Sequence, residues 1–479
     1  MAIQVLLLCL SALLFPGLLV GQTPGTVQVK TETICEVTVY SGNTDPFWGY
    51  HQPIVARAGE RVYAAILEPW GEAFQQRWSL YERSERGWRR VYTSSKDQRL
   101  NQPPLLLADG RGKLHAFFWP EGTCAHLQFD LRGDLEVPGQ ASPDVGYNDL
   151  WPYAGGGVNP QGDLLVITSP YPEHRSALYE TSAGKWTRGT AVVHASRPES
   201  PSQYDRHCYP FVVLRGREAH IFSTQDVADP EKIARGDSFT YSFRKLDYYY
   251  SPGVGNTSFK AVSVLNIDGT KGWVHNDDML LDRSGRIHLL YWYQTEERNW
   301  RTDSPQMHAF GPPGGPLTHV KIGQGFVEGR LYEAPDGALY AVWPRRDDLY
   351  LGRLAEDGTL VGAPAPLGVS QGKEISGPRV FLAPPRAMAF GASVLEGVYR
   401  VSAGNGRYEI RYFQVTFRPT PDFNGDGEVG FDDFFLFGDA FGKKGGQAGF
   451  SAKFDLDGDG EIGFGDFFAF AAEFGKKVG

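Results

Sequence analysis

The chain has 479 residues, 13% of them aromatic and 41% hydrophobic, a composition that folds and excludes a disordered polymer. Its 58 glycines and 32 prolines follow no three-residue period, which excludes a collagen-like rod. The formal net charge of −9, with no basic run, argues against a nucleic-acid partner.

At the N-terminus, Val5 to Phe15 is nearly all apolar, Pro16-Gly17 interrupts the run, and Gly21 is a small residue suited to a cut. The run is too short to cross a bilayer and reads as an export signal over 1–21, although no Lys or Arg precedes it. The expected location is secreted, extracellular or cell-surface attached, with no membrane span after signal removal. Cys9 lies inside the apolar run and does not mark a lipidation site. The mature chain keeps Cys35, Cys124 and Cys208. That odd count allows one disulfide plus a thiol, or three buried thiols.

Next comes a repeat. "AGERVYAAI" (58–66), "GRGKLHAFF" (110–118), "PQGDLLVIT" (160–168), "RGREAHIFS" (215–223), "RSGRIHLLY" (283–291) and "PDGALYAVW" (335–343) each join a glycine turn to strand-forming residues. The spacing is roughly 50 residues, with one longer gap before 283 read as an insertion, and that period predicts a β-propeller over 27–417. "LYERSERGWRRV" (80–91) and "LYETSAGKWTRG" (178–189) read as matching outer strands two repeats apart. "RVFLA", "GVYRVSA" and "YEIRYFQVTF" within 376–417 read as a seventh blade, which the strand-like stretch 27–40 would close. The expected fold is mainly β, a seven-bladed propeller or alternatively a six-bladed one. Ser84 to Trp88 and Ser182 to Trp186 keep the Ser, Gly and Trp of a sialidase Asp-box without its Asp. The repeat thus resembles the sialidase-like and BNR-type propellers of secreted carbohydrate-active proteins.

In a propeller the innermost strands border a central channel. The residues about ten positions before each glycine turn would face its mouth, and they are polar: "YHQP" (50–53), "LNQP" (100–103), "YNDLWPY" (147–153), "YDRHCYP" (204–210), "WVHNDD" (273–278), "VEGRLYE" (327–333) and "SGPR" (376–379). Converging, they would form a ring of His51, Asn101, Asp149, Arg206, His207, His275, Asn276, Glu328, Arg330 and Arg379. An extracellular polysaccharide or other glycan is the expected ligand. A lyase acting on a uronate polymer needs a cation for the carboxylate and groups that move protons. Arg206 or Arg330 would hold the carboxylate, and His207 or His275 with Tyr209 would move protons. The resemblance to BNR-type propeller lyases implies a His and Tyr pair of this kind. A sialidase-type hydrolase would instead use three arginines and a Tyr–Glu pair, for which Arg206, Arg330, Arg379 and Glu328 supply the residue types. A lectin needs the same ring without catalysis. A non-catalytic scaffold whose propeller binds protein is the alternative class. "LDYYYSPG" (246–253) is read as a loop of the blade-four insertion, where Tyr248 and Tyr250 either stack on sugar rings or pack inward to anchor the loop.

After a linker, "RPTP" (418–421), come "DFNGDGEVGFDD" (422–433) and "DLDGDGEIGFGD" (455–466), starting 33 residues apart. Asp422, Asn424 and Asp426 stand at loop positions 1, 3 and 5, Glu428 at 7 offers its carbonyl, and Asp433 stands at 12. Asp455, Asp457, Asp459, Glu461 and Asp466 repeat the set. Calcium takes six to eight oxygens at flexible distances, which alternate side chains on a tight loop supply. Gly427 and Gly460 take position 6, where the loop turns sharply. Aromatic helices follow each loop, and packing them together is expected to bury most of Phe431, Phe434, Phe435 and Phe441 with Phe464, Phe467, Phe468 and Phe474. Two calcium loops, each followed by one helix, resemble a dockerin. The resemblance implies a small α-helical domain over 422–479 binding two Ca2+ ions, and a cohesin-like or cell-surface protein as partner. It also implies that Phe431-Asp432 and Phe464-Gly465, at loop positions 10 and 11, contact that partner. Residues 422–479 hold twelve Asp and Glu against five Lys, so bound metal would relieve carboxylate repulsion.

Overall fold

The computed structural model of the protein describes residues 27–39, 45–69, 76–95, 100, 102–132, 143, 145, 152–169, 173–188, 192–193, 206–237, 240–296, 299–334, 337–377, 379–383, 394–417, 421–424, 426–457 and 459–477. The expected export signal, most of the linker, Asn101 and Asp149 lie outside these residues, as does the side chain of Arg206.

Seven antiparallel sheets follow one another along the chain. Blade 1 is Val55–Ala58, Arg61–Pro69, Gln76–Ser84 and Gly87–Thr93. Blade 2 is Leu105–Ala108, Lys113–Phe118 and Ala125–Asp130, and blade 3 is Gly155–Val158, Leu164–Thr168, Glu173–Glu180 and Lys185–Arg188, with Val192–Val193 beside its third strand. Blade 4 is Arg206–Arg215, Glu218–Ala228, Tyr241–Ser251 and Lys260–Asn266, with the short helix α1 (Pro230–Arg235) between its second and third strands. Blade 5 is Trp273–Leu281, Ile287–Gln294, Pro305–Gly311 and Thr318–Gln324, and helix α2 (Trp300–Asp303) precedes its third strand. Blade 6 is Arg330–Glu333, Leu339–Pro344, Leu349–Leu354 and Leu360–Pro366.

Blade 7 has Phe381–Leu382, Leu395–Gly404 and Arg407–Thr416, and its outer strand is Gln28–Thr38 from the other end of the propeller. Register runs from Gln28 opposite Thr416 to Thr38 opposite Arg407. This clasp makes the propeller seven-bladed and ties its two ends together, covering sheet edges that would otherwise stay open.

The glycine turns join the first and second strands of blades 1 to 6. Asp109 shows why they recur. Its carboxylate accepts from the Arg111 and Lys113 amides at 2.7 and 2.9 Å, and Asp282 accepts from the Arg286 amide at 2.8 Å. The strand after each turn is covered on both faces by neighbouring blades, so Leu164–Thr168 is apolar and buried almost throughout rather than alternating.

One expectation changes, and one open choice closes. "LDYYYSPG" is not a loop: it belongs to the third strand of blade 4. Strands two and three of that blade are 11 residues each and a connection carrying α1 joins them, and together these widen the spacing read as an insertion. Cys35, Cys124 and Cys208 are free thiols, not disulfide-bonded. Burial pushes Cys35 up to about 12 and raises Cys124 too, so both stay protonated and unreactive.

The C-terminal segment forms α3 (Phe431–Ala440) and α4 (Phe464–Glu473) around a core of Val429, Phe434, Phe437, Ile462, Phe467 and Phe470. The halves brace each other: the Ile462 amide donates to Lys443 O at 2.8 Å, and the Val429 amide to Lys476 O at 2.9 Å. The helical period splits the aromatics between two faces, so the expected burial holds for only half of them. Phe434 and Phe467 turn inward, while Phe431, Phe435, Phe464 and Phe468 are 58%, 63%, 57% and 65% exposed. No described helix is long and apolar enough to cross a membrane.

Candidate functional site

Three features of the chain build the mouth of the channel. First, Gly155 and Gly156 line the innermost strand of blade 3, where a Cβ on Gly155 would stand 2.0 Å from Pro210 O. That close approach seats the Tyr209-Pro210 bulge in the innermost strand of blade 4. Second, Tyr153, Tyr209 and Glu328 have φ of 42°, 58° and 57°, strained values for residues with side chains. All three stand where innermost strands meet the mouth, and no glycine relieves them. Third, a polar brace fixes their backbone. Asn276 donates to Tyr209 O at 2.7 Å and Phe222 O at 2.9 Å, and accepts from Tyr50 Oη at 3.0 Å and Thr224 Oγ1 at 2.8 Å. Arg330 donates to Tyr50 O at 2.9 Å, to Gly329 O at 3.0 Å and to Asp277 O. Asn276 and Arg330, expected as ligand-binding groups, therefore act mainly as struts.

On this frame a cluster converges. The Tyr209 ring stands 4.9 Å from Tyr50, 4.9 Å from Tyr153, 5.3 Å from His51 and 6.3 Å from His275. His275 stacks on Tyr50 at 4.4 Å, and its Nδ1 meets Asp277 Oδ1 at 2.9 Å. Asp277 is fully buried and His275 is not. A carboxylate that accepts a hydrogen bond from Nδ1–H leaves Nε2 as the nitrogen with the free lone pair. The Arg379 guanidinium lies 5.4 Å from the Trp48 ring centroid and 5.6 Å from that of Tyr50, donates to Phe47 O at 2.9 Å, and faces Glu328 at 3.6 Å.

Electrostatics divide the roles. Burial, then Arg330 and Arg379, hold His51 well below the usual histidine range, so it stays neutral. Burial, then Tyr209 and Asp277, push the Tyr50 phenol well above its ordinary range, so it stays protonated. Neither ring nitrogen of His51 has a hydrogen bond of normal geometry, and the Gln52 and Gln102 amides are equally unpartnered among the described residues. Buried polar groups of this kind await water or ligand. Beneath them the innermost strands enclose an axial cavity of about 1010 Å3, walled on the mouth side by Tyr50, His51, Gln52 and Arg330.

The structure thus brings together His51, Tyr209, His275, Asn276, Glu328, Arg330 and Arg379. It places His207 elsewhere. His207 Nδ1 lies 3.3 Å from Ser223 Oγ and 3.4 Å from Tyr249 Oη, in a buried polar cluster with His174 between blades 3 and 4. Tyr248 is fully buried against His220, at 2.8 Å, and Tyr250 packs on the same core, so neither is a sugar platform at the mouth. Trp48, Tyr50, Tyr153 and Asp277 were missed. The motifs "YHQP" and "WVHNDD" contained the signal, since Tyr50 adjoins His51 and Asp277 stands two residues from His275 on one strand face.

In the C-terminal loops, carboxylate oxygens of Asp422, Asp426 and Asp433 lie within 4.8 Å of one another, as do those of Asp455, Asp457 and Asp459. Gly427 and Gly460 adopt φ of 87° and 85° at the sharp turn. Asp433 accepts from the Phe423, Asn424 and Gly430 amides at 2.6, 2.9 and 2.9 Å, and Asp466 repeats this with Leu456, Asp457 and Gly463. Each position-12 carboxylate therefore ties its loop to the start of its helix. The backbones of Glu428 and Glu461, at position 7, pair with those of Lys477 and Lys444 in isolated antiparallel β-bridges. The donor set is all oxygen and convergent, which fits a hard divalent cation.

The sequence matches no protein-family model and none of the curated proteins. Solved structures do resemble the fold. One is the polysaccharide lyase Uly1, at 13% identity and TM-score 0.54, covering 79% of this chain and 92% of that one. Another is a PL25 ulvan lyase bound to -[GlcA(1-4)Rha3S]-, at 10% identity and TM-score 0.53, covering 79% and 94%. At such identity the likeness concerns the propeller fold.

Proposed function

We propose that the propeller mouth is the site of a polysaccharide lyase acting on a uronate-containing glycan. The observation that carries this reading is the Asp277–His275 pair, stacked on Tyr50 beside Tyr209 and near Arg379. Arg379 holds the uronate carboxylate and stabilises the charge that grows on it. His275 Nε2 takes the proton from the carbon bearing that carboxylate. The freed electron pair becomes a C=C bond, the C–O bond to the neighbouring sugar breaks, and Tyr209 gives the departing oxygen a proton. The names of the two fold neighbours, both lyases, support the same class.

The test is incubation of the full chain with uronate polysaccharides while ultraviolet absorbance is followed. A rising signal from an unsaturated product supports elimination. Cleavage without that signal favours a hydrolase, binding without cleavage a lectin, and neither leaves the protein-binding scaffold.

We further propose that the C-terminal module is dockerin-like and takes two Ca2+ ions. Asp422, Asn424, Asp426, Asp433 and the Glu428 carbonyl would hold one, and Asp455, Asp457, Asp459, Asp466 and the Glu461 carbonyl the other. Its role is attachment to a cohesin-like or cell-surface protein outside the cell, and the four exposed phenylalanines are the surface it offers.

A further inference from the structure

A row of rings leads from the mouth across blade 5. Tyr50 stacks on His275 at 4.4 Å, His275 on Trp292 at 5.3 Å, and Trp292 on Trp300 of α2 at 5.2 Å. The Arg301 guanidinium lies 4.2 Å from the Trp300 ring centroid. A flat guanidinium laid on an indole loses little further freedom when it binds an anion.

Arg301 has no ion pair and no side-chain hydrogen bond among the described residues, although Arg345 and Arg346 close by in the fold face Asp347 and Glu374. Burial disfavours its charge. Glu328 opposes that effect, while Arg346 and Arg379 add to it, so these groups lie close enough to be felt. Structural arginines are normally matched by a carboxylate or by carbonyls, as Arg330 is here. Glu328 already faces Arg379 at 3.6 Å, so an arginine laid on an indole, with no ion pair of its own among the described residues, is a binding group whose partner arrives with the ligand.

We propose that Trp300 and Arg301 form a second subsite, in which Arg301 receives an anionic group, carboxylate or sulfate ester, on a sugar adjoining the one held in the mouth. This rests on the reading of the mouth as a glycan site and extends it outward over blade 5. Arg346, 71% exposed at its side chain, adds positive field on the same side. Trp300 is a positioning residue, because it acts by holding Arg301.

The experiment is calorimetric titration of the full chain carrying His275→Ala, so that nothing is cleaved, with and without Arg301→Gln. The probes are a polyuronate oligosaccharide, a sulfated uronate oligosaccharide and a neutral oligosaccharide of equal length. Loss of one charge-assisted contact should weaken binding of a charged probe about tenfold and flatten its salt dependence, leaving the neutral probe unchanged. Weakening with both charged probes identifies carboxylate as the anion; weakening with the sulfated probe alone identifies sulfate. Arg301→Lys should retain part of the affinity, and Trp300→Ala should lose part of it. Equal affinity of Arg301→Gln for every probe overturns the subsite and leaves the mouth reading intact. Equal weakening for charged and neutral probes also overturns it, by showing a structural role. If the His275→Ala chain binds none of the probes and the unaltered protein cleaves none, the mouth reading falls and the subsite with it.

Discussion

His275 Nδ1 and Asp277 Oδ1 stand 2.9 Å apart on one strand of blade 5, the carboxylate fully buried and the imidazole reaching the mouth. The relationship has the sense of an orienting acid behind a base. Asp277→Asn keeps shape and volume but puts a neutral amide where a carboxylate accepts from Nδ1–H, so the imidazole loses the partner that fixes its orientation and tautomer. The expected loss in kcat is on the order of 10² to 10⁴, with little change in KM or melting temperature. A steady-state assay of product formation beside a thermal melt checks this. Unchanged kcat would remove Asp277 from the mechanism.

Gly155 offers a test of how packing reaches chemistry. Its α-hydrogen faces Pro210 O, and the added methyl of Gly155→Ala would stand 2.0 Å from that oxygen. Backbone cannot yield as a flexible side chain does, so the Tyr209-Pro210 bulge must move. The expected cost is about 2–3 kcal/mol of stability, accompanied by loss of activity. Chemical denaturation and the same kinetic assay give both numbers. Gly323→Ala, on the outer strand of blade 5, where φ is not positive and the added methyl would meet Phe326 at an ordinary 3.5 Å, is the control.

The propeller was legible because its turns and doubly covered strands leave a regular pattern. A turn that needs φ above zero, as at Gly162 and Gly285, must recur once per blade. His275, Tyr209 and Arg379 were legible as polar residues ahead of those turns. What the pattern could not carry was direction. The ladder slips between Cys208 and Phe211, so His207 faces blade 3 rather than the mouth. Asn276 and Arg330 look like ligand groups until tertiary contacts show their donors bound to backbone. Trp300 and Arg301 lie on α2, outside every repeat, and nothing local marks them.

Buried histidines set an acid limit on the propeller. Burial brings His174 and His308 to about 3, far below the ~6.5 of an unfolded chain. A base whose folded pKa is depressed binds more protons when unfolded, so stability is full above pH ~6.5 and falls as pH drops toward about 3. Asp247 opposes this. Burial pushes it up to about 6, so it gains stability as pH falls from there toward ~3.9. The two histidine displacements together exceed that of Asp247, and the net expectation is loss. Asp282 joins later: burial raises it, but hydrogen bonds from His288, Ser284 and the Arg286 amide outweigh burial and bring it to about 2. Its contribution is present above pH ~3.9 and disappears toward pH 2. Urea midpoints at pH 7.5, 5.5 and 4.5 should decline, and His308→Gln should make the decline shallower. A flat profile would mean that the histidines gain no protons on unfolding.

Calcium should act on the C-terminal module and spare the propeller. Asp422, Asp433, Asp455 and Asp466 are buried, and each loop gathers carboxylates within one cation's reach. Without metal that gathering is repulsive, and backbone amides that donate to Asp422, Asp433, Asp455 and Asp466 oppose it. Chelation is therefore expected to lower a separate melting transition of α3 and α4, with loss of helical circular dichroism, while the propeller transition stays put. Asp422→Ala should weaken one of two calorimetric sites. Gly427→Ala strains a φ of 87° and should cost about 1–2 kcal/mol even before metal is added. A single transition indifferent to chelator would mean that the duplicated loops hold their shape through their own amide-to-carboxylate hydrogen bonds. The acidic sets would then be turn-forming residues, and attachment would rest on the exposed phenylalanines.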